Sequence, residues 1–236
     1  MKNITLLALD TSTEACSVAL WHKGEKTYLD ELAQRTHTKR ILPMVDELLA
    51  NSGINLKQVD ALAFGRGPGS FTGVRVGAGI AQGLAFGADL PVIAVSNLTA
   101  MAQAAFELHQ AENVAAAIDA RMNEVYFSQV KREKVRSELG EFFQWNPVIE
   151  EQVCQPEKAL EQLSDLTAYQ VGTGWAAYPQ FKDSGLEGSD IILPSAQYML
   201  ELALTDYAQN KIIPALEIEP VYLRNEVTWK KLPGRE

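Results

Sequence analysis

The same short layout occurs twice in this chain. Residues 4–9 form an apolar run ending in Asp10-Thr11-Ser12-Thr13, and a second apolar run follows over 15–21. Residues 114–119 form another, ending at Asp119 before the turn Ala120-Arg121-Met122-Asn123, and 125–130 follow it. Both read as strand, polar turn, strand. No high-identity repeat accompanies the recurrence, so the expectation is two lobes of similar layout rather than an array. The 236 residues also exceed a typical domain of roughly 100 to 200.

The stretches between these hairpins alternate strand and helix patterns. After Lys23-Gly24 comes a strand over 27–32, then a helix carrying Ile41, Leu42, Val45, Leu48 and Leu49 at helical spacing, with Gly53 as its stop. Pro43 is tolerated only near a first turn, which places the helix start around Thr38. A strand over 59–64, a glycine-rich loop over 65–73, a helix over 74–86, a strand over 91–95 and a helix over 98–108 complete the first half. The second half continues with a helix over 156–163, a strand over 168–171, a helix after Gly174, a strand over 191–193 and a helix over 196–209. The class is α/β. The expected lobes are residues 1–108 and 109–216, with 217–236 returning to pack on the first.

With 47% hydrophobic and 22% charged residues the composition is that of an ordinary globular chain. The net charge of −9 disfavours direct, tight nucleic-acid binding, because a field of that sign repels phosphates. The basic stretch from Arg224 to Arg235, with Lys230 and Lys231, is short and reads as a solvated tail. Cys16 and Cys154 lack the spacing of a redox or zinc pair, and no signal-peptide core is evident, so a reducing, cytoplasmic compartment is expected. Residues 74–93 are the most membrane-like window, yet Arg75, Gln82 and Asp89 interrupt it.

No catalytic template is complete. Asp10, Thr11, Ser12 and Thr13 set a carboxylate and three hydroxyls at a hairpin, the chemistry that grips a phosphate or its metal, and Asp119 occupies the matching turn. The same side chains also satisfy turns by themselves. The Gly67–Gly73 loop lacks the lysine of a Walker motif. Gly172-Thr173-Gly174 with Ala177 matches a dinucleotide fingerprint in form, but the acidic partner is misplaced at Asp190. His37 is followed four residues later by Ile41, so no histidine pair forms a metal site on that helix. Ser70 lies outside a nucleophile elbow. The departure from ordinary patterning is the glycine helix: Gly79, Gly83 and Gly87 recur every fourth residue and Gly73 and Gly77 form a second series. Each interior glycine costs roughly 1 kcal/mol relative to alanine, which suits a face that another helix approaches closely. A partner surface is therefore expected from these five glycines together with Ile41, Met44, Val45 and Leu48.

Three blocks taken together, 9–19 beginning Leu-Asp-Thr-Ser-Thr, 65–75 reading Gly-Arg-Gly-Pro-Gly-Ser-Phe-Thr-Gly-Val-Arg, and Ile118-Asp119-Ala120-Arg121, resemble the TsaB (YeaZ) family, as does the ending Glu219-Pro220-Val221-Tyr222-Leu223-Arg224. The resemblance implies a two-lobed fold of the actin, Hsp70 and sugar-kinase type. It also implies a part in forming threonylcarbamoyladenosine in tRNA, as a degenerate, non-catalytic paralogue of the TsaD transferase. The implied partners are TsaD and the small ATPase TsaE, with a homodimer when alone. ATP or ADP is expected only at an interface with a partner. Two alternatives are an active phosphotransferase of the sugar-kinase type, favoured by the paired turns, and a peptidase, for which no metal pair or nucleophile–base set is available.

Overall fold

In the computed structural model, which describes residues 4–33, 36–137, 140–163 and 165–224, the two hairpins seed two mixed sheets. The first is built from the antiparallel meander β1 (Leu6–Asp10), β2 (Ala15–His22) and β3 (Glu25–Leu32), joined by the parallel strands β4 (Ala61–Gly67) and β5 (Val92–Ser96) in the order β3-β2-β1-β4-β5. β1 is buried along its whole length, and alternate residues serve opposite faces, as the strand period requires. Leu7 and Leu9 join the core under helices α1 (His37–Asn51) and α2 (Phe71–Ala88), whereas Leu6 and Ala8 join a separate core on the other side.

The second sheet has the order β8-β7-β6-β9, from β6 (Asn113–Asp119), β7 (Val125–Ser137), β8 (Gly140–Cys154) and β9 (Tyr169–Val171). Helix α3 (Asn97–His109) covers one face through Leu98, Met101 and Ala105, set against Val114, Ala116 and Ile118. Short helices α4 (Pro156–Gln162), α5 (Gly174–Ala177) and α6 (Pro179–Asp183) close the other around Phe127, Trp175 and Phe181. Among the described residues no helix is long and apolar enough to cross a membrane.

Several features differ from the sequence reading. Ile41, Met44, Val45 and Leu48 do not face a partner: all are buried, because their i, i+3, i+4, i+7 stripe is the one that seals α1 onto the first sheet. Pro43 lies in the second turn of α1 on its exposed face, where water can meet the carbonyl that loses its helical partner. Residues 191–193 are not a strand; Ile191 gives one carbonyl bond, to Gly172 N, at 2.7 Å. Strand β8 was not anticipated, since the outer half of the β7–β8 ribbon lacks a clean apolar alternation. Part of that half is held by Arg132, whose guanidinium lies 3.5 Å from the Phe106 ring and 3.7 Å from that of Phe143.

The chain also returns to the first sheet earlier than expected. Helix α7 (Met199–Ala208) sits within the 109–216 stretch, yet Met199, Leu200, Ala203 and Leu204 pack on Leu6, Ala8, Ala61 and Ile93. Of the expected returning tail, Ala215 and Ile218 do join the core under α2, and 225–236 lie outside the described residues.

The second lobe depends on one close approach. Gly172 has φ +103, and a Cβ there would fall 2.2 Å from the Ala117 carbonyl oxygen of β6. Gly172→Ala is expected to destabilise the fold by about 2 kcal/mol or more, read as a lowered midpoint in thermal or urea unfolding.

Candidate functional site

The first hairpin turn is closed by its own chain. Asp10 is 0% exposed. Its Oδ1 accepts from Asn97 Nδ2 at 2.8 Å, and its Oδ2 accepts from Ser12 Oγ at 3.0 Å. Asn97 also donates to Ser12 Oγ at 2.7 Å and accepts from Gly67 N at 2.7 Å, so one amide joins the turn, the glycine loop and the start of α3. Thr11 Oγ1 donates to Gly73 O at 2.8 Å. His37 Nε2 stands 2.7 Å from Thr13 O and must donate, since a carbonyl only accepts.

Glycine is what permits this closure. A Cβ at Gly65 would lie 2.0 Å from Asp10 Oδ1, at Gly69 2.4 Å from Ser12 O, and at Gly73 2.2 Å from Thr11 O. The glycine loop therefore packs directly on the turn. Asp10, Thr11, Ser12 and Thr13 are brought together, with the Asp10, Thr11 and Ser12 side chains hydrogen-bonded within the chain. Burial pushes the Asp10 carboxyl up to about 6, against the lowering effect of Asn97 and Ser12.

The matching turn is more open. Asp119 Oδ1 accepts from Tyr178 Oη at 2.7 Å and from Arg121 N at 2.9 Å, and Arg121 pairs with Oδ2 at 3.1 Å. Arg121, Met122 and Asn123 all take left-handed φ of 55–63°. Burial and the Asp119 carboxylate together push the Tyr178 hydroxyl up to about 12. Asp10 and Asp119 share no hydrogen-bond partner in the described residues. Among those residues no three His, Cys, Asp or Glu side chains gather in a way that could hold a metal ion.

The two glycine series of α2 face opposite ways. Gly73 and Gly77 turn inward, the latter placing a would-be Cβ 2.9 Å from Thr11 Oγ1. Gly79, Gly83 and Gly87 meet nothing within 4 Å. Phe71 and Phe86, each 68% exposed, mark the two ends of this outward face. Beyond Phe86 an open apolar groove of about 720 Å³ runs between the end of α2 and Ile212–Leu216.

The family model for tRNA N6-adenosine threonylcarbamoyltransferase, TsaD, matches residues 26–214. A tRNA threonylcarbamoyladenosine biosynthesis protein TsaB from Haemophilus influenzae is 78% identical over the full length of both chains. The chain belongs to the TsaB family. The Escherichia coli TsaB is 50% identical over 98% of this chain and 99% of its own. The structure of YeaZ from Pseudomonas aeruginosa superposes with a TM-score of 0.79 and 42% identity, covering 93% of this chain and 100% of that one. This establishes the two-lobed fold of the actin, Hsp70 and sugar-kinase type.

Asn97, which joins the turn, the glycine loop and α3, has little prominence in the sequence. Its only signal is the Ser96-Asn97 pair at the start of α3, where Ser96 Oγ caps Thr99 N and Asn97 is left to reach inward.

The buried carboxylate sets a pH dependence. The ordinary Asp value of 3.8 lies below the value of about 6 in the fold, so the folded chain holds the proton more tightly than the unfolded one. This contribution to stability is complete below about pH 4 and is lost as pH rises through 6, a change of about 3 kcal/mol. Asp10→Asn, which keeps an acceptor for Asn97, is expected to melt higher than wild type at pH 8 and alike at pH 4. Parallel melting curves across that range would show that Asp10 ionises normally.

Proposed function

We propose that this chain is a non-catalytic subunit that docks the TsaD-type transferase on the outward face of α2, supporting threonylcarbamoyl transfer to adenosine in tRNA in the cytoplasm. The observation that carries the reading is the open stripe of Gly79, Gly83 and Gly87. Gly79 and Gly83, interior to α2 and with nothing within 4 Å of a would-be Cβ, forgo roughly 1 kcal/mol each for no internal gain, and Gly87 near the helix end extends the bare face. A facing helix from another chain would use the space, as small residues do wherever helix backbones cross closely.

The closed Asp10 turn supports the non-catalytic part of the reading. A phosphotransferase of the sugar-kinase type would need that turn open to a phosphate, whereas the Asp10 carboxylate here is buried and spent on Asn97 and Ser12. Any ATP or ADP is expected only at a surface shared with a partner, and a TsaE-like small ATPase is a further expected partner. Self-association through the same stripe would give a homodimer that competes with the transferase. Direct tRNA affinity should be weak for a chain of net charge −9.

Because a side chain at Gly83 points into open space, Gly83→Leu should fold with a melting temperature close to wild type. It should nonetheless lose both self-association and transferase binding, measured by sedimentation and titration, and tRNA threonylcarbamoyladenosine should fall, measured by nucleoside mass spectrometry. Wild-type transferase affinity in the folded variant would place the docking surface elsewhere. In the same vein, Gly79→Ala, Gly83→Ala and Gly87→Ala are each expected to stabilise the isolated chain by up to about 1 kcal/mol.

A further inference from the structure

Residues 214–224 run along α2 in the opposite direction and then leave the first sheet for the second. Gln82 Nε2 donates to Ala215 O at 3.1 Å near the end of α2, and Ile218 is buried in the core beneath it. Val221 N donates to Arg66 O at 2.9 Å. The Tyr222 ring then lies 4.7 Å from the Arg75 guanidinium, which also lies 3.3 Å from the Phe71 ring and donates to Phe71 O at 2.8 Å. Finally Arg224 pairs with Glu124 and donates to Ala120 O at 3.2 Å, both in the β6–β7 turn.

Two facts make this more than a tail lying on a surface. Arg75 belongs to the outward stripe, one helical turn before Gly79, so Tyr222 stands at the edge of the face that the glycines leave open. Arg224 and Glu124 are partly shielded from water, with 20% and 30% of their side chains exposed, and without Glu124 only the Ala120 and Arg121 carbonyls would hold Arg224 to the turn.

We propose that residues 218–224 form a latch, pinned to the second lobe by Arg224 and Glu124 and stacked through Tyr222 on Arg75, which couples occupancy of the α2 stripe to the β6–β7 turn. The latch itself stands on the contacts above, while the coupling rests on the transferase reading of α2. A helix lying over Gly79 reaches Arg75 and Phe71 and uses Tyr222 as a preformed wall. Unpinning Arg224 frees that wall, and the wall must then be ordered again on docking, which weakens binding. The coupling is reciprocal, so docking also holds the β6–β7 turn in place.

The test uses the full chain with Arg224→Gln, Glu124→Gln and the double variant. In the free protein, hydrogen exchange of the Val221 amide should quicken about tenfold in either single variant, since its bond to Arg66 depends on the latch. Affinity for the TsaD-type transferase should fall about fivefold in each single variant, and the double variant should be no weaker than the worse single. Unchanged Val221 exchange overturns the latch. Faster exchange with wild-type affinity overturns the coupling. A wild-type chain that does not bind the transferase overturns the docking reading instead, and the exchange measurement still decides the latch.

Discussion

One side-chain amide holds the first lobe together at its centre. Asn97 donates to Asp10 and Ser12 and accepts from Gly67, so the β1–β2 turn, the glycine loop and the start of α3 meet at a single planar group. Every partner is fully or nearly dry, and a dry polar network holds only when each member is satisfied. The geometry in turn dictates glycine at 65, 69 and 73, because a methyl group at any of them would strike the turn. The hairpin turn is thus a joint between structural elements.

That joint explains why α2 can carry glycine on both sides. Its inner glycines let the helix settle against Thr11, which fixes its height above β1. With the inner face pinned, the outer face needs no support from its own chain and can stay bare. Further ties then set the first sheet against the second sheet and its covering helix α3: Arg66 to Glu151 at 3.0 Å and Lys26 to Glu107 at 2.7 Å. The Arg224 contact closes the same boundary from another point in the chain.

Much of this was legible in the residues. The two hairpins, the α/β class and the glycine helix all follow from local pattern. The direction of a face does not. Ile41, Met44, Val45 and Leu48 make an apolar stripe whether they meet a sheet or a partner, and only the position of the sheet decides. Gly73 and Gly77 are likewise indistinguishable from Gly79 and Gly83 until Thr11 is placed. Strand β8 was obscured because aromatic residues such as Phe143 pack on an arginine rather than in a core, which blurs the period of two. Asn97 was hidden because its partners lie 85 and 87 residues away in sequence.

The placement of α7 bears on how such a chain comes to be folded at all. The face of the first sheet formed by Leu6, Ala8, Ala61 and Ile93 is covered by Met199, Leu200 and Ala203. During synthesis this apolar face is complete long before its cover exists, and contacts so far apart in sequence close slowly. The second lobe must therefore emerge, and α7 with it, before the first lobe is sealed. A nascent chain halted before α7 would leave the apolar face of Leu6, Ala8, Ala61 and Ile93 without the cover that Met199, Leu200 and Ala203 supply.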